Sequence, residues 1–372
     1  MRDVVEIGKG KSARRGFELS EVSLVPSRRT RDVDDVSTAW QLDAYQFGIP
    51  CVAHPSDATM SPESAIELSR QGGLGVLNAE GLWCRYEDPT PVLAELAGLS
   101  DDAATARLQE VYAEPIKPSL ITERVKQMRD AGATVSVRVS PQHTIALSPV
   151  VLDAGVDVLV IQGTLVSAEH VSTGDEPLNL KEFIADLDLP VVVGGCTNYT
   201  TALHLMRTGA AGVIVGVGAD LWSTTGDVLG ISVPMASAIA DAAAARRDYL
   251  DETGGRYVHL IADGDIESSG DIAKAVACGA DAVMLGGVLA EAAEAPAGGA
   301  WWHSAASHPK LPRGMYRPAE EDRDAVSMET LLHGPSHEPY GNHNLFGGLR
   351  RSMAKCGYSN LKEFQKVELT VS

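Results

Sequence analysis

The residues with the most chemical promise lie in one short stretch, VIVGVGADLWSTTGDVLG, residues 213–230. It opens as a buried strand, Val213 to Val215, and breaks into glycines at Gly216 and Gly218. Three hydroxyls follow, Ser223, Thr224 and Thr225, ahead of Gly226. Glycine-rich turns after a strand hold anions on backbone N–H groups. A catalytic loop of this shape should also carry a nucleophile or a base, yet the stretch has no Cys, His or Lys. Two further segments share the build: DGDIESSGD, from Asp263, and the pair Gly286 and Gly287. Gly218, Gly264, Asp265, Gly286 and Gly287 could turn several amides onto one phosphate. Asp263 is placed to accept hydrogen bonds from ribose hydroxyls, or simply to cap its turn. Each glycine motif alone is an ordinary turn; three at neighbouring strand ends point to phosphate.

The elements that must position these loops are legible from residue 50 onward. Eight apolar runs alternate with helical stretches: 50–53, 73–77, 134–139, 157–161, 190–193, 211–215, 256–262 and 281–285. Each run is apolar throughout, as in strands of a parallel sheet covered on its outer face. The helices between carry their own start and stop signals, Ser61 before PESAIELSRQ and Gly132 after LITERVKQMRDA. Four times a helix runs through a glycine into a strand: MRDAGATVSVRV, LDAGVDVLVI, LMRTGAAGVIVG and AVACGADAVMLG. Eight strand–helix units with right-handed crossovers close most economically into a (β/α)8 barrel, whose site lies at the C-terminal strand ends. An open doubly wound sheet usually has fewer units and an early GxGxxG.

The reading makes residues 1–372 one barrel domain with additions. Residues 1–49 form an irregular N-terminal arm, and 81–117 a connection with one or two extra helices. Residues 291–346, rich in Pro, Gly, His and aromatics, form a flap-like insertion. Residues 347–372 return to helical spacing and dock on the barrel.

Net charge is −19, with 50 acidic against 31 basic residues, which opposes nonspecific binding to nucleic acid or anionic membranes. The N-terminus lacks the apolar core of a secretory signal, and no run of about 18 uncharged apolar residues exists to span a bilayer. The five cysteines, Cys51, Cys84, Cys196, Cys278 and Cys356, stand singly without zinc-type spacing. They read as reduced core thiols of a cytoplasmic protein.

ADGDIESSGDIAKAVACGADAVMLGGVLAEAAEAP closely resembles the strand-seven to strand-eight segment of the IMP dehydrogenase/GMP reductase family. ELSEVSLVPSRRT is similar to that family's N-terminal arm, GGLGVLN to its second strand, AGVDVLVIQGT to its fourth, and GGLRRSMAKCGYSNLKEF to its C-terminal helix. No regulatory CBS pair follows strand two, which marks a short member. STAWQLDAYQF and RYVHLIADGDI resemble the IMP dehydrogenase-related branch. The resemblance implies a purine nucleoside monophosphate held by Gly218, Gly264, Asp265, Gly286 and Gly287, with Asp263 on the ribose. It implies base contacts from Gly314 and Met315 of an RGM motif beginning at Arg313, and from His333. Gln162, standing where the family has an Asp, and Thr164 would hold the nicotinamide ribose of NAD or NADP. A monovalent cation such as K+ would sit at Gly216, Gly218 and Ser223, and the assembly would be a homotetramer or octamer.

The same resemblance exposes what the loop lacks. The family's cysteine, whose thiolate attacks purine C2, aligns with Ser223, and its water-handling threonine with Thr225. The phosphate-holding serine aligns with Ala219, which offers only its amide. A serine hydroxyl has a far higher pKa than a thiol and needs an adjacent base. The flap's Arg-Tyr pair is not recognisable either; MYRP, residues 315–318, holds both types in reverse order. Three readings stand: NAD(P)-linked oxidation of IMP at C2, reductive deamination of GMP, or a purine-nucleotide sensor without turnover.

Overall fold

The computed structural model describes residues 4–171, 177–217, 222–320 and 325–372. Eight short parallel strands form one sheet: β1 (Cys51–Ala53), β2 (Val76–Asn78), β3 (Ser136–Val139), β4 (Val158–Gln162), β5 (Val191–Cys196), β6 (Gly212–Val215), β7 (His259–Asp263) and β8 (Ala282–Leu285). From β2 to β8 each strand pairs with the next, and β8 returns to β1 in register Met284 to Val52. The ring closes just before β2, where Leu74 N–H donates to Cys51 O at 2.8 Å and Ala53 N–H donates to Leu74 O at 2.9 Å. The fold is therefore the (β/α)8 barrel that the eight runs imply, and every strand falls on one of them.

The strands run almost wholly buried because helices cover the outer face. Ser61 caps the helix Pro62–Arg70, its Oγ accepting from Ser64 N–H, with proline at the first position where no N–H is needed. Asn198 and Ser268 cap Tyr199–Arg207 and Ser269–Cys278 in the same way. Gly132, at φ +77°, ends the turn after the helix Pro118–Asp130.

The N-terminal arm is more regular than its sequence implies. It carries two hairpins, Val4–Gly8 with Lys11–Arg14 and Trp40–Leu42 with Tyr45–Phe47. A further strand, Val22–Leu24, pairs with Leu369–Val371 at the other end of the chain. In the second hairpin Trp40 stacks on Phe47 at 5.1 Å and lies 6.1 Å from His259, so it plugs the N-terminal end of the barrel. Alternation over three residues is too short to stand out in a sequence.

The two insertions share a smaller core. Helices Thr90–Ala97 and Asp101–Val111 supply Leu93, Leu96, Leu108 and Val111. Against them pack Trp301, Trp302 and Tyr316 from an antiparallel pair, β9 (Trp301–Trp302) and β10 (Tyr316–Arg317). Helices Leu345–Lys355 and Leu361–Phe364 complete the C-terminal end. Among the described residues no helix is long and apolar enough to cross a membrane.

At the mouth of the barrel three backbones approach more closely than side chains allow. A Cβ at Gly195 would lie 2.0 Å from Gly216 O, and one at Gly216 would lie 1.9 Å from Asp263 O. Gly216 also has φ +139°, which an L side chain rarely adopts. Gly216→Ala is therefore expected to destabilise the fold by about 3 kcal/mol, the upper end of ordinary overpacking costs, read by urea unfolding. A variant as stable as the parent would show that β6 and β7 do not touch at this point.

Candidate active site

The C-terminal ends of β7 and β8 open onto a cavity of about 170 Å³. Asp263, Gly264 and Asp265 follow from β7, Gly286 and Gly287 from β8, and His54 from β1. The residues read as ribose and phosphate contacts thus come together, except Gly218 and Ala219, which lie outside the described residues. Asp265 adopts φ +55°, a left-handed conformation that Asp tolerates better than most side chains. A Cβ at Gly286 would lie 2.6 Å from Trp301 Cη2, so this glycine also makes room for an indole. The cavity is small beside the roughly 300–1,000 Å³ of typical small-molecule pockets; Trp222 and Trp301 form part of its wall.

Gln162, at the end of β4, reaches across the barrel and donates Nε2–H to Asp263 Oδ2 at 2.9 Å. Its Oε1 is buried without a partner. Arg138 holds the Gln162 backbone from behind, donating from Nη2 at 2.7 Å and Nε at 3.1 Å to Gln162 O. Arg138 in turn lies 3.5 Å from Glu80 Oε1, and Glu80 Oε2 is 2.6 Å from His143 Nδ1. Burial alone would raise the Glu80 carboxyl, but the His143 bond, Arg138 and the Ser140 N–H bring it down to about 2. The same bond raises His143. A chain of polar contacts therefore runs from His143 on the rim to Asp263 in the cavity.

Ser223 is half-buried and donates to Thr225 Oγ1 at 3.1 Å; Thr225 is buried. The flap is fastened to this loop. Gly314 N–H donates to Thr224 Oγ1 at 2.8 Å and Met315 N–H to Trp222 O at 2.6 Å. The Arg317 guanidinium lies over the Trp222 ring at 5.7 Å, donates to Gly287 O at 2.9 Å and pairs with Glu291 at 3.2 Å. Arg313 donates from Nη2 to Thr164 Oγ1 at 3.1 Å. Gly314 thus meets the loop through its backbone, while the Met315 side chain is exposed. His333 is placed elsewhere: it ends the helix Met328–His333, is exposed, and lies 3.0 Å from Gln71 O rather than on the cavity. Docking of that helix against the end of Pro62–Arg70 carries it away from the base position. Of the residues suggested for potassium, Gly216 has its carbonyl close to Gly195 and Ser223 donates to Thr225, while Gly218 lies outside the described residues.

Several residues of the site escape a sequence reading. His54 and His303 are buried with ring centres 4.6 Å apart, and Trp301 packs edge-on to His54 at 5.6 Å. Burial, then His303 and Arg138, push His54 well below the usual histidine value. Burial with Arg138 and Arg313 brings His303 to about 4. Both are neutral at physiological pH, and neither nitrogen of His54 has a partner. The HPSD end of β1 was the available signal for His54; His303 sits in a segment without periodicity. Two carboxylates also join the cavity, Glu267 and Glu291, where only Asp residues were expected. Cys51 and Cys196 do not substitute for the loop thiol. Both are buried, and burial pushes Cys51 far up and Cys196 to about 12.

Residues 16–371 match the IMP dehydrogenase / GMP reductase domain. An uncharacterized oxidoreductase of Mycobacterium leprae is 61% identical over 376 residues, covering 99% of this chain and all of the relative. The inosine-5'-monophosphate dehydrogenase of Aquifex aeolicus is 26% identical over 399 residues, covering 97% of this chain and 76% of the relative. A crystal structure of an IMP dehydrogenase/GMP reductase-like protein from Corynebacterium glutamicum superposes with a TM-score of 0.94 at 56% identity, over 100% of this chain and 98% of that one.

The Glu80 cluster gives a signed test. Its carboxyl lies near 2 in the fold against 4.5 for a free glutamate, so its stabilisation is present above pH 4.5 and lost as pH falls toward 2. Glu80→Gln should lower stability at pH 7, and the gap to the parent should close between pH 4.5 and 2 in denaturant titrations. A gap independent of pH would remove Arg138 and His143 as its partners.

Proposed function

This chain belongs to the IMP dehydrogenase/GMP reductase family, and on that footing we propose that its cavity binds a purine nucleoside 5'-monophosphate for NAD(P)-linked hydride transfer at purine C2. One observation carries the reading: Asp263, Gly264, Asp265, Gly286 and Gly287 converge on one cavity at the C-terminal strand ends. Asp263 is the ribose contact and the strand-end amides are the phosphate contacts. IMP, XMP and GMP are the ligands of this class, and IMP oxidation is the favoured direction, with reduction of GMP by NADPH as the alternative.

Gln162 and Thr164 are the residues for a nicotinamide ribose. The fit is chemical: Gln162 Oε1 is a buried acceptor without a donor, and a bound hydroxyl or amide would supply one. A bound nicotinamide supplies the hydride acceptor or donor. The chain's own residues orient the partners: Gln162 is held by Arg138 behind and Asp263 in front, and the flap covers the loop through Gly314 and Met315. A homotetramer or octamer in the cytoplasm belongs to the same reading; Val4, Val5 and Ile7 of the first hairpin are exposed apolar side chains that an assembly would cover.

A second reading has its own observation. The Ser223 hydroxyl donates to Thr225, and the cysteines at β1 and β5 are buried protonated thiols. A site so equipped binds a purine nucleotide and does not turn it over, which makes it a sensor. Absorbance at the reduced-nicotinamide band, with IMP plus NAD and with GMP plus NADPH, separates the two. Turnover supports the enzyme, and Ser223→Ala should then slow it; unchanged turnover removes that hydroxyl from the reaction. Tight IMP or GMP binding with no turnover leaves the sensor. Gly287→Asp, placing a carboxylate where Cβ has 3.8 Å of room to Trp301, should weaken nucleotide binding roughly tenfold or more in both cases.

A further inference from the structure

The charge of the phosphate seat runs against its expected ligand. Asp263, Asp265, Glu267 and Glu291 line the cavity, and among the described residues Arg317 is the guanidinium on its wall. Arg317 is committed, paired with Glu291 at 3.2 Å and donating to Gly287 O at 2.9 Å. His54, also on the wall, is neutral and brings no positive charge. Its two unpartnered, buried ring nitrogens nevertheless mark the cavity as built for a polar ligand. A phosphate monoester arriving here carries between about −1.5 and −2 at pH 7. The strand-end amides attract it, and the carboxylates beside them repel it.

We propose that Glu267 is the specificity-determining residue of this seat, its carboxylate opposing the 5'-phosphate of a purine nucleotide and taking up a proton more readily once that phosphate is bound. The inference rests on the purine-nucleotide reading above and adds a proton linkage to it. Glu267 follows the β7 glycine turn directly and sits at the rim of the cavity. Its surroundings are set by what faces it. The helix Ser269–Cys278 presents Asp271, whose Oδ2 accepts from Ser268 N–H at 3.1 Å, while Lys274 lies 4.0 Å from the other oxygen of Asp271. The turn Leu289–Glu291 presents Glu291, and β10 presents Arg317. The β7 end itself presents Asp263 and Asp265. Partial burial, then Asp271 and Glu291, raise the Glu267 carboxyl, against an opposing pull from Arg317. A bound phosphate dianion is one more negative neighbour and raises it further. The proton that Glu267 gains comes from solvent and returns there when the nucleotide leaves.

The test is calorimetry with IMP and with inosine between pH 6 and 8, on the parent, Glu267→Gln and Asp265→Asn. Glu267→Gln is isosteric and lies on the rim, and its folding is checked by thermal melting. At pH 8 the variant should bind IMP about fivefold more tightly than the parent, the size expected of one partly screened charge. The advantage should shrink as the pH falls and the parent's carboxyl takes its proton. Inosine, lacking the phosphate, should bind both proteins alike at every pH. Repeating the parent titration in buffers of different ionisation enthalpy should show proton uptake with IMP that Glu267→Gln loses. Asp265→Asn should improve IMP binding without removing that uptake, since its side chain is not the proton acceptor. Equal IMP affinity for parent and Glu267→Gln across the range, or equal proton uptake by both, overturns the proposal and leaves the purine site standing. Failure of every protein to bind IMP, inosine or GMP overturns both.

Discussion

The contact on which the site depends is between two backbones. Gly216, just past the end of β6, lies so close to the carbonyl of Asp263 that a single added carbon would sit 1.9 Å from it. Gly195 packs on Gly216 in the same manner. Three consecutive strands are thereby drawn together at their C-terminal ends. This convergence sets where Asp263 emerges, and with it the start of the Gly264–Asp265 turn. Interiors at this packing density transmit a displacement rather than absorb it. Gly216 of the opening motif thus has a structural duty before any ligand arrives: it lets the barrel mouth narrow until one carboxylate can face a side chain from the opposite wall.

That facing side chain explains how the polar half of the site is kept in order. Gln162 donates to Asp263 from its side chain and is gripped through its backbone carbonyl by Arg138. Arg138 is a cation in a mostly buried position, a costly arrangement unless a counter-charge is near. Glu80 supplies it, and Glu80 is in turn fixed by His143 and by the Ser140 amide. The order of events in the chain is therefore outside-in: an exposed histidine fixes a glutamate, the glutamate an arginine, and the arginine the backbone of the residue that reaches Asp263. Each link is short enough to count as a real bond or ion pair.

The barrel was legible because its signals are local and repeated. Apolar runs, capping serines and asparagines, and glycines after helices recur unit by unit, and each agrees with its neighbours. The glycine-rich strand ends were legible for the same reason, since they occupy equivalent places in three successive units. The N-terminal hairpins were not: a three-residue strand such as Trp40–Leu42 has no period to detect, and only its stacking on Phe47 and its seat under β7 make it a strand. His303, Trp301 and Arg317 were hidden for another reason. They lie in the long segment after β8, and what brings them to the cavity is the second core they share with residues 90–111. His333 is the converse case. Placed by resemblance, it is carried off by the docking of its own helix.

Among its described residues, the loop with which the sequence draws attention engages its own polar groups. Ser223 spends its proton on Thr225, Thr224 receives the flap amide of Gly314, and Trp222 carries Arg317 on its ring. Thr224 and Trp222 join the loop to the flap, while Ser223 and Thr225 bond to each other within the loop. On the barrel wall, His54 and Gln162 keep buried polar atoms without partners. Buried polar atoms without partners are costly, about 1–3 kcal/mol each, and a ligand that satisfies them recovers that cost on binding. The physical demand for a ligand is thus strongest at the wall, and the demand for a nucleophile is met nowhere among the five cysteines, all free and all raised in pKa by burial. Binding and turnover are separable properties, and the orphaned atoms of the wall call for a polar partner whether or not a reaction follows.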